Sequence, residues 1–237
     1  MSSLRVIVTG GSQGIGRAIA LAFARRGARV AIAARTGDKL DEVVNEIDKL
    51  GGRGCPLQMD LTEDGGIEGA IYRGVEHCDG VIDVLVNNAG VFDVHPFEEQ
   101  SPADWRKMLN VNLTGPFLVT RETIDALKAS PRAHIFNIAS VAARRGFAGG
   151  TAYCASKYGL RGFSDALRVD LAPRKIRVST VYPDLTNTAI FDGVPGNWDR
   201  SKMNQPEDVA AVVLAAYDSP DGTNVDDLDV PPPKAKS

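Results

Sequence analysis

The sequence predicts an α/β fold, a single domain built on a doubly wound parallel sheet of about seven strands with helices on both faces. Three observations carry this expectation. Short β-branched runs alternate with helical segments along the chain, the pattern of a parallel sheet covered on both sides. The first run ends in a glycine-rich turn that opens a helix. Polar and glycine residues then recur at the carboxyl ends of later runs, the rim where such sheets bind ligands. At 237 residues and 43% hydrophobic content, the chain has the material for one large core.

The elements follow in order. Leu4–Thr9 reads as a buried strand and leads into Gly10-Gly11-Ser12-Gln13-Gly14-Ile15-Gly16, then an apolar helix over about 17–26. Val30–Ala34 is the second strand, followed by an amphipathic helix over 38–50. A third strand, 54–59, ends at Asp60-Leu61, and a helix over 66–77 precedes the fourth strand, 81–86. A long helix is expected over 102–129, a fifth strand over 133–138, and a helix from Tyr153 to about 172. Ile176–Val181 is the sixth strand, ending at Tyr182-Pro183. Pro206-Glu207-Asp208 opens a last helix, with its proline and acids at the positive end. Residues 225–230 supply a seventh strand. Three consecutive prolines then end regular structure, so 1–230 reads as one domain and 231–237 as a disordered tail.

Strand, glycine turn and helix is the context a dinucleotide fingerprint requires, and it makes the fold Rossmann-type. Glycines let the backbone turn sharply and approach a pyrophosphate, whose charge rests on the N–H groups of the helix start. The spacing here is G-x-x-x-G-x-G, through Gly10, Gly14 and Gly16. Arg35 stands at the end of the second strand, where NAD sites carry an acid for the ribose hydroxyl and NADP sites an arginine for the 2′-phosphate. The nearest acid, Asp38, comes later, so the region favours NADP over NAD.

Tyr153 and Lys157 lie four apart on a helix and so share a face. A free phenol has a pKa of about 10, too high for proton transfer at neutral pH. A neighbouring ammonium favours the phenolate, which makes a general acid–base of the tyrosine. Asn112 and Pro116 fall inside the long helix; the proline cannot donate to the Asn112 carbonyl, so a kink and a bound water are expected there.

Other function classes recede. The net charge of −3 shows no basic stripe for nucleic acid. No apolar run approaches the roughly 18 residues of a membrane span, and the first strand begins at Leu4, with no room for a signal peptide. Cys55, Cys78 and Cys154 are odd in number and scattered, which suits a reducing cytoplasm. His77, His95 and His134 show no metal-ligand spacing, so no metal is expected.

Taken together, Thr9-Gly-x3-Gly-x-Gly16, Asn87-Asn88-Ala89-Gly90, Asn112, Ser140, Tyr153-x3-Lys157 and Pro183 with Thr188 resemble a short-chain dehydrogenase/reductase. They fall in that family's order from about Leu4 to Thr188. The resemblance implies that Tyr153 exchanges a proton with the substrate oxygen and that Ser140 hydrogen-bonds the same oxygen. Lys157 would lower the Tyr153 pKa and hold the nicotinamide ribose, and Asn112 would anchor a water leading from Lys157 to solvent. Ser12, Gln13 and Ile15 would join the glycine turn around the cofactor. Asp60 and Asn87 would contact or shape the adenine side, Thr188 would meet the nicotinamide amide, and Leu61, Ala89, Gly90 and Pro183 would also bind the cofactor. A homo-dimer or homo-tetramer through helices 102–129 and 153–172 is implied as well. One departure stands out: Asp184 occupies the position after Pro183 where the family usually has glycine, placing a negative side chain beside the cofactor's path.

The substrate should face Phe92, Val94 and Phe97 after the fourth strand; Ala142 to Arg145 and Phe147 after the fifth; and Ile190, Phe191, Val194 and Trp198 after the sixth. Such a lining suits an apolar carbonyl compound. Gly193, Pro195 and Gly196 suggest a mobile lid over about 184–205. Arg144-Arg145 could meet a carboxylate, a phosphate or an acidic carrier protein, or be solvated surface. The expectation is an NADPH-dependent reductase of a ketone or aldehyde. Two alternatives remain, a 3-oxoacyl-thioester reductase and a non-catalytic cofactor sensor; the lack of the Asp-Gly-Gly ending common among the family's acyl-carrier-protein reductases is a further departure.

Overall fold

The computed structural model describes residues 3–194, 198–220 and 222–232. Seven parallel strands form one sheet in the order β3-β2-β1-β4-β5-β6-β7. They are β1 (Arg5–Thr9), β2 (Arg29–Ala34), β3 (Arg53–Gln58), β4 (Val84–Asn87), β5 (His134–Ile138), β6 (Arg177–Pro183) and β7 (Asp227–Val230). The helices between them are α1 (Gly14–Ala24), α2 (Gly37–Lys49), α3 (Ile67–His77), α4 (Pro102–Leu109), α5 (Gly115–Lys128), α6 (Thr151–Leu171) and α7 (Pro206–Tyr217).

Strand alternation divides the core in two. Val6, Val8, Val30, Ile32, Val84 and Val86 pack under α1, α2 and α7. Ile7, Ala31, Leu85, Ile135 and Val178 face the other way, under α3, α5 and the end of α6. Each fully buried Val, Leu or Ile side chain among them contributes about 1.5–3 kcal/mol. That covering on both faces is the doubly wound arrangement the sequence predicts, and it leaves the carboxyl rim of the sheet open.

Differences from the sequence reading are local. The fourth strand starts at Val84 rather than Val81, because Ile82 N–H donates to Ala126 O and only Asp83 N–H first reaches β1, at Arg5 O. The 102–129 helix is interrupted by a π-helical turn, Asn110–Thr114, in which Gly115 N–H donates to Asn110 O. Pro116 has no N–H for the carbonyl four residues back, and the ladder lengthens by one residue just ahead of it. Helix α7 starts as its sequence predicts, on Pro206, with Gln205 N–H donating to Asp208 Oδ2 at 2.7 Å in a capping box. Among the described residues no helix is long and apolar enough to cross a membrane. Pro233–Ser237, most of the expected tail, lies outside the described residues.

Candidate active site

The strand ends converge on a cavity of about 720 Å³. At one end lies the glycine turn. Gly10 and Gly14 have φ of 65° and 55°, the left-handed region open to glycine. A Cβ at Gly16 would stand 2.3 Å from Gly10 O and 2.4 Å from Asn88 Nδ2, so this position tolerates no side chain. Asn88 holds the turn, donating from Nδ2 to Thr9 O at 3.0 Å and Gly10 O at 3.2 Å. Thr9 Oγ1 in turn accepts the N–H groups of Asn88 and Ala89, both at 3.0 Å. Helix α1 starts with no side-chain cap and no acid in its first turn, which leaves its N–H groups turned toward an anion. These features fit a dinucleotide pyrophosphate.

Beyond the turn, Arg35 and Lys39 line the cavity, and among the described residues neither side chain forms an ion pair. Asp60 and Leu61 lie nearby. The Asp60 carboxylate accepts both the N–H and the hydroxyl of Thr62 at 2.9 Å, and the backbone bond first of all holds its pKa below the usual range. It therefore caps the following segment and lines the cavity at once.

At the centre, Ser140 sits in extended backbone at the end of β5 and accepts the Ala142 N–H at 3.1 Å. Tyr153, in the first turn of α6, lies beside it. Burial pushes the phenol up to about 12, while a hydrogen bond with Ser140 pulls the other way. Lys157, buried, donates to Ile138 O at 2.9 Å, and burial pushes it down to about 8. Its Nζ is 5.8 Å from the Tyr153 ring centroid. In the protein without cofactor, burial is the largest influence on the phenol.

Asn112 is fully buried in the π-helical turn. Its Oδ1 accepts Val91 N–H at 2.8 Å; its Nδ2 donates to Val91 O at 2.9 Å and to Ser156 Oγ at 3.0 Å. Ser156 in turn donates to Tyr153 O at 2.7 Å. The side chain therefore ties the segment after β4 to α6. Ser156 is a part of the site that sequence reasoning missed, although it directly precedes Lys157. A Cβ at Gly90 would stand 3.3 Å from Asn112 Oδ1 and 3.7 Å from Lys157 Nζ, so this glycine gives the pair room.

Most expected site residues line this one cavity: Gly10, Ser12, Gln13, Gly14, Ile15, Arg35, Asp60, Leu61, Ala89, Gly90, Ser140, Tyr153, Lys157, Pro183 and Thr188. Asn87 does not. It is buried in the sheet, donating to Thr120 Oγ1 at 3.0 Å and Asn137 Oδ1 at 2.8 Å, because its alternation in β4 points it away from the rim. Its neighbour Asn88 faces the cavity instead. Lys39 was also missed; its position four residues after Arg35, at the start of α2, was the available signal.

The substrate end is aromatic. Phe92 packs edge-on against Tyr153 with centroids 4.7 Å apart, against Phe191 at 5.5 Å and against Trp198 at 6.1 Å. Phe147 closes the group, 6.2 Å from Phe92. Ala142 and Ile190 also line it, but Val94, Phe97, Ala143, Arg144 and Val194 do not. Val94 lies under Gly149, and Phe97 is exposed in a separate shallow groove with Trp105.

The 184–205 segment is tied down by Arg200, which donates to Asn187 Oδ1 and Thr188 O, both at 3.1 Å. Of its three expected hinge residues, Pro195 and Gly196 lie outside the described residues. Asp184 is not among the residues with positive φ, so the loop needs no glycine there. Its Oδ1 accepts Leu185 N–H at 2.8 Å.

Residues 5–196 match the model of the short chain dehydrogenase family. The chain is 36% identical over 217 residues to a 3-oxoacyl-[acyl-carrier-protein] reductase of Aquifex aeolicus, covering 88% of this chain and 87% of the relative. It is 34% identical over 230 residues to a 2,5-dichloro-2,5-cyclohexadiene-1,4-diol dehydrogenase of Sphingobium indicum, with 93% and 92% covered. A short chain dehydrogenase from Burkholderia cenocepacia, solved in complex with NADP, superposes with a TM-score of 0.87 at 33% identity, with 97% and 96% covered. A matched family model, a superposed fold and a tyrosine, serine and lysine gathered beside a glycine cradle agree: the chain belongs to the short-chain dehydrogenase/reductase family and is an oxidoreductase acting on CH–OH and carbonyl groups.

Proposed function

We propose that the chain is an NADP(H)-dependent oxidoreductase that interconverts an apolar ketone or aldehyde with its alcohol. One observation carries the reading: a single cavity runs from Arg35 and Lys39, past the glycine turn, to Tyr153 and Ser140 under an aromatic roof. The likeness to the NADP-bound Burkholderia structure supports the choice of cofactor. When bound, the nicotinamide supplies or accepts the hydride.

The chain's own residues do the rest. Arg35, with Lys39 one turn along, holds the 2′-phosphate, and the α1 N-terminus takes the pyrophosphate. Asp60, Leu61, Ala89 and Gly90 shape the adenine side; Pro183 and Thr188 face the nicotinamide. Lys157 turns its ammonium to the ribose. Tyr153 stands protonated at neutral pH and donates its proton to the carbonyl oxygen, while Ser140 hydrogen-bonds the same oxygen and steadies its developing charge. A phenol held as an acid suits reduction. Oxidation needs the phenolate, which the cationic nicotinamide and the Lys157 ammonium favour only once the cofactor is in place. Asn112 keeps Val91 and α6 in register and offers a carbonyl, freed by Pro116, to a water on the path from Lys157 to solvent.

The three free thiols, Cys55, Cys78 and Cys154, fit a reducing cytoplasm. Exposed Phe117, Tyr158 and Val169 on α5 and α6 support a homo-oligomer through those helices, which sedimentation would check.

NADPH oxidation measured against a panel of ketones, aldehydes and a 3-oxoacyl thioester tests the reading. Turnover of apolar carbonyls is expected; no turnover of any carbonyl would sink it. Turnover confined to the thioester would favour the second reading, which the likeness to the Aquifex reductase supports.

A further inference from the structure

Six charged residues line the cavity. Arg35, Lys39 and Asp60 belong to the nucleotide end and Lys157 to the centre, leaving Arg145 and Asp184 at the substrate end. These two face each other across the mouth, one from the turn after Ser140 and the other from the loop after β6. Arg145 guanidinium lies 3.5 Å from Asp184 Oδ2. The contact is long and the Arg145 side chain is 73% exposed, so solvent screens the pair and the attraction is weak.

The partners are not equally committed. Asp184 keeps the Leu185 N–H at 2.8 Å if the arginine leaves. Arg145 has no second side-chain partner among the described residues, while its backbone is fixed, its N–H donating to Val141 O at 3.2 Å. Its neighbour is the opposite case. Arg144 pairs with Asp227 at 3.0 Å and Asp229 at 2.8 Å and stacks over Tyr182 at 3.8 Å, so it is occupied in holding the turn to β7. Space beside Arg145 is open: nothing lies within 4 Å of a Cβ built on Gly146. A planar fork of donors, anchored at its base and loosely held at its tip, matches a carboxylate or phosphate.

We infer that Arg145 is a specificity-determining residue, and that the substrate is a carbonyl compound with an apolar or aromatic body and an anionic tail. The body packs among Phe92, Phe147, Phe191 and Trp198, the carbonyl meets Tyr153 and Ser140, and the tail takes Arg145 from Asp184. The inference rests on the carbonyl-reductase reading and narrows its substrate class.

Matched probes test it with the full-length protein and NADPH: 4-acetylbenzoate and 4-acetylphenyl phosphate as anions, and 4-acetylbenzamide as the neutral counterpart. An anion is expected to show kcat/KM about tenfold above the amide, mainly through KM. Carboxylate and phosphate arms tell which tail is preferred. In Arg145→Ala the anion-to-amide ratio is expected to fall to about one, and Arg145→Lys to recover part of it. Equal rates for anion and amide in the unaltered protein would overturn the proposal, as would loss of both together in Arg145→Ala or a selective rise in the NADPH KM. If no probe is reduced, the wider carbonyl panel decides the reductase reading separately. Calorimetric titration of the NADPH-loaded protein then decides for Arg145, since anion binding lost in Arg145→Ala supports it and equal binding of anion and amide overturns it.

Discussion

At the nucleotide end of the cavity the walls are backbone; at the substrate end they are side chains. The first is a glycine turn pinned by Asn88 and Thr9 through four bonds of 3.0–3.2 Å, with no room for a Cβ at Gly16. The second is a group of aromatic rings brought by three separate loops, with one weak ion pair at its mouth. Backbone recognition fixes a ligand common to many enzymes, whereas loop side chains can change without disturbing the sheet. Tyr153 and Ser140 sit where the two regimes meet.

The sharpest test acts at that junction. Tyr153→Phe removes the proposed proton donor but keeps the ring that packs on Phe92. Carbonyl reduction is expected to fall by about a thousandfold in kcat, with NADPH affinity measured by fluorescence nearly unchanged. Residual turnover near the starting rate would remove Tyr153 from the acid–base role.

Next come two glycine-to-alanine changes that set the ends against each other. In Gly16→Ala the new methyl meets Gly10 O at 2.3 Å, so the turn must shift, and NADPH affinity is expected to fall by up to about a hundredfold. In Gly146→Ala it meets nothing within 4 Å, and affinity is expected to hold within about twofold. Equal sensitivity at both positions would erase the contrast.

The same contrast explains what the sequence could tell. Gly10, Gly14 and Gly16 were legible because a steric requirement in the backbone leaves its mark at fixed spacing beside the strand that creates it. The seven strands and the α7 start were legible for a similar reason, being written in local pattern. Asn87 was misread because face selection near a strand end depends on one step of register, which turned Asn88 rather than Asn87 to the rim. Phe92 and Trp198 could be named as lining, but their contact is a product of folding, as is the division of labour between Arg144, bound to β7, and Arg145, which is not. The Tyr153 and Lys157 pairing was legible as spacing, while the size of the desolvation on each was not, since it depends on everything packed around them.

A smaller effect is expected at Arg35. On the proposed reading, Arg35→Ala removes one charge-assisted contact to a 2′-phosphate and leaves Lys39 nearby, so the proposed preference for NADPH over NADH should shrink by about tenfold. KM values for the two cofactors check this. An unchanged ratio would move the phosphate site elsewhere, and Lys39→Ala would be the next variant to measure.

The smallest effect tests the centre through pH. Lys157 has its pKa lowered from 10.5 to about 8 by burial, and Tyr153 has its pKa raised from 10.0 to about 12. Through the working range the phenol keeps its proton, so the acid for reduction is present throughout. The ammonium begins to disappear above about 8, and kcat/KM for NADPH should decline there by less than about tenfold, because a neutral amine still donates. Stability of the protein without cofactor should move the opposite way. Below about 8 the lysine is charged in both states and the folded protein bears the cost of burying it. Between about 8 and 10.5 the unfolded chain binds the extra proton, so unfolding free energy should rise with pH across that window as far as Lys157 is concerned. Urea titrations of the unaltered protein and of Lys157→Met isolate the term: the rise should be present in the first and missing from the second. Opposite slopes for catalysis and stability at one residue would mean that the lysine's charge is retained for the ligand it meets, against the preference of the fold that buries it.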